Sequence, residues 1–152
     1  MPDDPGRVEI VRTIDAPRAR VFNAWTDPAE LRRWWGPGEF RCPEAEVDLR
    51  PNGAYRLVMQ PTAGDPFVLA GTYREVTPPE RLVYTWRWET GAAADGSESL
   101  VTVEFRDRGE QTELVLVHTE FPESHGAAPY RMGWDGGLDK LGRLLAQSRV
   151  DA

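Results

Sequence analysis

The side chains that could carry acid–base or nucleophilic chemistry are few in this chain. Its 152 residues hold two histidines, His118 and His125, one cysteine, Cys42, and one lysine, Lys140. A mononuclear zinc site needs three or four nitrogen, sulfur or oxygen ligands, and these residues show no recognisable ligand spacing. No G-x-S-x-G elbow, phosphate-binding loop or dinucleotide fingerprint occurs. We therefore expect no catalytic set, no metal site and no cofactor.

Each of these side chains also has an ordinary structural interpretation. His118 ends a run of alternating apolar residues, which favours a hydrogen-bonded histidine on the inward face of a strand over a ligand contact. Cys42 is expected to be a small buried residue. His125 lies beside a serine and a glycine, where exposure to solvent is expected. A Schiff-base mechanism could use only Lys140.

Aromatic side chains are the informative excess, because six tryptophans are many for this length. Several of them alternate with polar residues in a pattern that predicts the inward face of a sheet. Such residues form either core or the wall of a pocket, and tyrosine and indole groups keep a polar atom for a ligand. The candidate pocket residues are Trp35, Tyr55, Leu57, Met59, Tyr73, Tyr84, Trp86, Trp88, His118, Met132 and Trp134.

Length and composition limit the class of protein. Hydrophobic residues make up 40% and charged residues 28% of the chain, so one globular domain over residues 1–152 is expected, with an ordered core at about 7–147. The net charge of −7 provides no clustered positive field, which argues against nucleic-acid binding. No apolar run approaches the roughly 20 residues that span a bilayer, and no signal peptide is recognised. A cytoplasmic protein without membrane insertion is expected.

Hydrophobic periodicity predicts the elements that position these residues. A strand at Arg7–Ile14 precedes two short helices, the first starting near Pro17 and the second running to Trp35, with Asp27 and Glu30 as a capping box. A period of two then predicts six more strands, at Phe40–Leu49, Ala54–Gln60, Phe67–Val76, Arg81–Glu89, Leu100–Asp107 and Glu113–Glu120. Short connections make successive strands antiparallel neighbours.

A long helix closes the chain, and one face of it must cover the sheet. Its apolar face is formed by Tyr130, Trp134, Leu138, Leu141 and Leu145. Glycines within this helix cost about 1 kcal/mol each against alanine, so they imply close backbone approach or open room beside the helix. On the other face of the sheet, solvent exposure is predicted for Arg56, Val58, Gln60, Thr85, Arg87, Thr102 and Glu104.

This order of elements predicts an α+β fold: a curved antiparallel sheet of about six or seven strands wrapped around a long C-terminal helix, with two short helices after the first strand. A curved sheet that grips a helix leaves space that side chains need not fill. The turn Gly36–Gly38, which follows Trp35, is the expected mouth of that space.

Short motifs follow one another in a specific order over about Arg7 to Leu145. They are Ile14–Pro17, Val21–Pro28, Leu31–Trp35, Asp48–Gly53, Gly71–Tyr73, Pro78–Trp86 and Gly133–Trp134. In this order they resemble the START/Bet v 1-like (SRPBCC) superfamily, which has the helix-grip fold. Within it, the chain resembles the branch named for the C-terminal domain of the activator of Hsp90 ATPase. The matching residues are architectural, so the resemblance implies a fold and transfers no catalytic set.

Three functions follow as hypotheses. We expect a small-molecule-binding protein whose mostly apolar internal cavity, between the sheet and the C-terminal helix, takes a hydrophobic or amphipathic ligand. The resemblance implies a second function, a co-chaperone-like interaction module that activates Hsp90. A third is a cyclase- or hydrolase-type enzyme that uses the same cavity, with a polar partner near His118. A homodimer through a strand edge or the tryptophan-rich helices also stays open.

Overall fold

The computed structural model describes residues 6–36, 38–91 and 94–151, with side chains up to residue 146. Within these residues the chain forms an antiparallel sheet and three helices, so the predicted α+β class is confirmed. Met1–Pro5, Ala92, Ala93 and Ala152 of the predicted domain and Pro37 of the predicted pocket mouth lie outside the described residues.

The sheet is antiparallel throughout because short turns connect most of its successive strands. In the described residues it has seven strands: β1 (Arg7–Ile14), β2 (Arg41–Val47), β3 (Ala54–Gln60), β4 (Phe67–Thr77), β5 (Arg81–Trp88), β6 (Ser99–Arg108) and β7 (Gln111–Thr119). The order β1-β7-β6-β5-β4-β3-β2 joins the first strand to the last. β2 is shorter than predicted and bulges between Arg41 and Glu44, around Pro43, which an edge strand tolerates.

Three helices accompany the sheet: α1 (Arg18–Thr26), α2 (Pro28–Trp34) and α3 (Ala127–Asp151). Asp27 caps α2, because its carboxylate accepts the Ala29 N–H at 2.9 Å. The predicted capping box is wrong, since Glu30 instead pairs with Arg20 of α1 at 3.3 Å. Among the described helices, none is both long and apolar enough to cross a membrane.

The core lies between the inward face of the sheet and one side of α3. The predicted apolar face of α3 is confirmed, because all five of its residues are buried: Tyr130, Trp134, Leu138, Leu141 and Leu145. Trp25 and Trp34 of the short helices are also buried, with their ring centroids 4.9 Å apart. Trp25 and Trp34 are therefore part of the core and are not exposed on the outer surface of the protein.

Two positions on the outward face of the sheet are buried, contrary to prediction. Val58 is 8% exposed and pairs across the ladder with Val68, so the two shield one another. Thr85 is 1% exposed because the ladder between β4 and β5 is interrupted beside it. There the Thr85 hydroxyl accepts the Thr72 N–H at 2.8 Å, in place of a backbone carbonyl.

Gly71 lies at this interruption, and we expect Gly71→Ala to destabilise the fold by about 3 kcal/mol. A Cβ at Gly71 would stand 2.1 Å from the Thr85 carbonyl oxygen, which also accepts the Tyr55 hydroxyl. Urea denaturation measures the change in free energy of unfolding.

Gly142→Ala is the matched control, because a Cβ at Gly142 meets nothing within 4 Å. This substitution in α3 should raise stability by about 1 kcal/mol. Equal stability of the two variants would contradict the close contact at Gly71.

Candidate functional site

A pocket of about 590 Å³ lies between the β3–β5 part of the sheet, the end of α2 and the first half of α3. Most of its lining side chains are aromatic or otherwise apolar. They are Trp34, Trp35, Gly36, Phe40, Met59, Phe67, Trp86, Trp88, Thr90, Gly91, Ser124, His125, Pro129, Tyr130, Gly133, Trp134 and Gly137. None of these is an aspartate, glutamate, lysine or arginine.

Glycines of α3 keep this space open. Gly133 and Gly137 are one helical turn apart and both line the pocket. A Cβ at Gly133 would meet nothing within 4 Å, whereas one at Gly137 would touch the Trp34 ring at 3.9 Å. The helix therefore has open room beside it at Gly133. The glycines of the helix imply either such room or close backbone approach, and at Gly133 the structure shows open room.

Three tryptophans meet at the inner wall of the pocket. The ring centroid of Trp134 lies 5.5 Å from that of Trp35 and 5.3 Å from that of Trp86, and those two rings are 6.0 Å apart. The indole N–H groups of Trp35 and Trp86 are buried and have no acceptor among the described residues. Trp134, in contrast, donates to His118 Nδ1 at 3.1 Å.

The contacts of His118 fix its tautomer. Because an indole N–H only donates, His118 Nδ1 is the acceptor for Trp134, and the ring proton is on Nε2. Nε2 then donates to Ser99 Oγ at 2.8 Å, and Ser99 lies within 3.4 Å of the Trp86 carbonyl. Burial lowers the pKa of His118 to about 3. This histidine is neutral and has both nitrogens engaged.

A second hydrogen-bonded group lies at the rim of the pocket. His125 Nε2 is 2.8 Å from Asp95 Oδ2, and His125 Nδ1 is 3.0 Å from the Tyr130 hydroxyl. Trp88 donates to the same hydroxyl at 3.3 Å. The sequence predicts that His125 is exposed, but its side chain is only 10% exposed, since Asp95 in a loop and Tyr130 in α3 cover it.

Lys140 fixes the segment that forms the opposite rim. Its ammonium donates to the carbonyls of Gly36 and Phe40, at 2.7 and 2.9 Å. Gly36 has a φ of +99°, and a Cβ there would lie 3.0 Å from Phe40 Cβ. Lys140 therefore connects the segment between α2 and β2 to α3. This is a structural role for the one lysine that a Schiff-base mechanism could use.

The pocket is distinct from two other hollows in the described residues. One holds about 10 Å³ between Trp25 and the tyrosines of the sheet, too little for a ligand. The other, of about 620 Å³, is a depression at the surface whose five lining residues include no aromatic side chain. No group of three or more histidine, cysteine, aspartate or glutamate side chains in the described part is arranged to hold a metal ion.

A protein-family comparison matches residues 15–146 to the family described as Activator of Hsp90 ATPase homolog 1-like protein. The chain belongs to this family. The match spans almost all of the elements described above, from the end of β1 to α3. Among curated proteins, none matches the chain.

Solved structures agree with the family assignment. A Chromobacterium violaceum protein is 27% identical over 93% of this chain and 98% of its own, with a TM-score of 0.83. The AHSA1 protein of Silicibacter pomeroyi is 26% identical over 93% and 99%, also at 0.83. An HSP90 activator from Plasmodium falciparum is 30% identical over 77% of this chain and 74% of its own, with a TM-score of 0.59.

In this member of the Activator of Hsp90 ATPase homolog 1-like family, the candidate pocket residues fall into three groups. Those that line the pocket are Trp35, Met59, Trp86, Trp88 and Trp134. Those that face the sheet's filled interior beside it are Tyr55, Leu57, Tyr73 and Tyr84, and His118 lies beneath Trp86 and Tyr130. Met132 is 74% exposed and does not line the pocket. It lies two residues from both Tyr130 and Trp134, which puts it on the opposite side of α3.

Sequence reasoning missed several residues of the pocket wall. Phe67 is paired with the inward-facing Met59, so the alternation along β4 could have assigned it to the same face. The helical spacing assigns Tyr130 to the buried face of the helix and does not indicate its place in the pocket wall. Ser124, His125 and Thr90 come from loops, whose side-chain directions no periodicity predicts.

The depressed pKa of His118 predicts a loss of stability in acid. The unfolded chain takes up a proton on this residue near pH 6.5, whereas the folded protein does so only near pH 3. The free energy of unfolding should therefore fall by about 1.4 kcal/mol per pH unit between roughly pH 6 and pH 4 because of this residue. Urea denaturation across that range measures the slope.

His118→Gln provides the comparison, because the amide has a donor and an acceptor but does not titrate. The variant should lose this part of the pH slope, whatever its stability at pH 7. A variant that kept the full slope would show that His118 is not the group responsible.

Proposed function

We propose that this protein binds a small, mostly apolar and uncharged molecule in the pocket between α3 and the sheet. The observation that carries the proposal is an aromatic-walled space of about 590 Å³, within the range of small-molecule sites. Its described lining has no charged side chain to pair with an anionic or cationic ligand group, which favours a neutral ligand. Flat rings fit best, since the walls themselves are largely ring faces and edges.

The unpaired indole groups add a polar requirement. Trp35 and Trp86 are 5% and 7% exposed, and a buried donor without an acceptor costs about 1–3 kcal/mol. Both nitrogens are buried in this structure, so a ligand oxygen would accept from either N–H after a small shift of the indole ring, and that bond would remove the cost. We therefore propose that the ligand is amphipathic, with a hydrogen-bond acceptor on an otherwise apolar body.

Burial alone supplies useful affinity for such a molecule. Each buried methylene contributes roughly 0.8 kcal/mol, so a two-ring or three-ring hydrocarbon body reaches dissociation constants on the order of micromolar. The proposed mechanism is storage, transport or sensing by burial, in the cytoplasm, with no covalent step.

Filling the pocket from α3 should abolish binding. In Gly133→Leu the new side chain has open space in front of it and projects from a residue that lines the pocket. N-phenyl-1-naphthylamine is a suitable neutral fluorescent probe. We expect micromolar binding to the wild-type protein and at least tenfold weaker binding to the variant, measured by fluorescence titration.

Gly142→Leu is the matched control, since Gly142 is in the same helix, has nothing within 4 Å of an added Cβ, and does not line the pocket. Both substitutions replace a helical glycine and should leave the protein at least as stable. Equal probe affinity in the two variants would place the binding site elsewhere, and no binding to the wild-type protein would oppose the proposal.

A second candidate function is co-chaperone activity. It is favoured by the family membership and by the similarity to the Plasmodium falciparum HSP90 activator. A chaperone contact requires a surface and no pocket, so Gly133→Leu should leave it intact. Stimulation of Hsp90 ATPase turnover by wild-type protein and Gly133→Leu alike would support this function, and no stimulation by either would oppose it.

A further inference from the structure

Three side chains from separate segments form a continuous hydrogen-bonded chain at the rim of the pocket. Asp95 follows β5, His125 precedes α3, and Tyr130 lies in the first turns of α3. Asp95 Oδ2 is 2.8 Å from His125 Nε2, and His125 Nδ1 is 3.0 Å from the Tyr130 hydroxyl. His125, Tyr130 and Trp88, which also contacts that hydroxyl, all line the pocket.

The protons of this group can be assigned from donor and acceptor rules. The hydroxyl and N–H of Ser97, followed by His125, hold the pKa of Asp95 well below its usual range, so Asp95 is a carboxylate that only accepts. His125 Nε2 must therefore carry a proton. In the neutral ring Nδ1 is then the acceptor, and Tyr130 donates its only hydroxyl proton to it.

This assignment leaves one lone pair on Tyr130. A phenolic oxygen has two lone pairs, and Trp88 Nε1 donates to one of them at 3.3 Å. Burial raises the pKa of Tyr130, so the phenol keeps its proton. Tyr130 is 8% exposed and lines the pocket, as do both hydrogen-bond partners of its hydroxyl, His125 and Trp88.

We propose that Tyr130 is the specificity-determining residue of the pocket and accepts a hydrogen bond from a hydroxyl or N–H group of the ligand. His125 and Asp95 are positioning residues, because they hold the phenolic proton away from the pocket. The inference rests on the proposed binding function and narrows it to aromatic alcohols, phenols and amines. An ether or ester oxygen at the same position would face the lone pair of Tyr130 and be disfavoured.

Two probes of the same ring system separate donor from acceptor. 2-Naphthol presents a hydroxyl donor, whereas 2-methoxynaphthalene presents only an acceptor. Isothermal titration should show about fivefold tighter binding of 2-naphthol to the wild-type protein, the ratio expected of one net hydrogen bond. Tyr130→Phe keeps the ring and removes the oxygen, so this ratio should fall to about one.

Asp95→Asn tests the hydrogen-bonded chain of Asp95, His125 and Tyr130 at its exposed end. The amide oxygen continues to accept from the Ser97 N–H, so the amide nitrogen faces His125 Nε2 as a donor. His125 must then carry its proton on Nδ1 and donate to Tyr130, which frees the phenolic proton for the pocket. The preference should shift from 2-naphthol toward 2-methoxynaphthalene by about fivefold or more.

Asp107→Asn is the matched control. Asp107 is exposed, as Asp95 is, and it caps the turn between β6 and β7 by accepting the Gly109 N–H at 2.9 Å. It should leave both affinities unchanged. If Asp95, His125 and Tyr130 served only to join loop and helix, Asp95→Asn would change the two affinities by the same factor, and the inference would be wrong.

The outcomes separate this inference from the function on which it rests. If both probes bind and the ratio of their affinities is the same in every variant, the role of Tyr130 is overturned and pocket binding is left intact. No binding of either probe to any variant would overturn both. Thermal denaturation of each variant confirms that affinities are compared between folded proteins.

Discussion

Trp134 sets the distance between α3 and the sheet, and the pocket depends on that distance. Its indole is packed between the rings of Trp25, Trp35 and Trp86 and hydrogen-bonded to His118. A helix that rests on a side chain of this size cannot also touch the sheet through a neighbouring glycine. The space beside Gly133 is therefore a consequence of packing. Because glycine has no Cβ, no side chain at this position fills it.

Hydrogen bonding separates two of the six tryptophans from the other four. Trp25, Trp34, Trp88 and Trp134 each donate to a tyrosine hydroxyl, a carbonyl or a histidine nitrogen. Trp35 and Trp86 do not, and both belong to the pocket wall. Because buried donors are almost always satisfied in folded proteins, the two exceptions mark the place where a further partner is expected. Among the tryptophans that line the pocket, Trp35 and Trp86 therefore differ from Trp34, Trp88 and Trp134, whose indole N–H groups have acceptors.

The sequence predicts the elements far better than it predicts the pocket. Alternation and helical spacing depend on the chain alone, so the strand at Ala54–Gln60 and the buried face of α3 are predicted correctly. Thr85 is buried against expectation because a local break in pairing recruits its hydroxyl. His125 is shielded by Asp95, 30 residues away along the chain, a contact that no local pattern encodes. The same limit applies to the pocket wall, where Tyr55 and Trp86 share the inward face but only Trp86 stands where α3 leaves a gap.

Native mass spectrometry of the freshly purified protein, followed by denaturing extraction, tests pocket binding most directly. The account predicts a reproducible adduct of a few hundred daltons, the size that a pocket of this class accommodates, and its release on denaturation. The bare mass of the chain in every preparation, with no change in tryptophan fluorescence across a panel of lipids and neutral aromatic compounds, would contradict it.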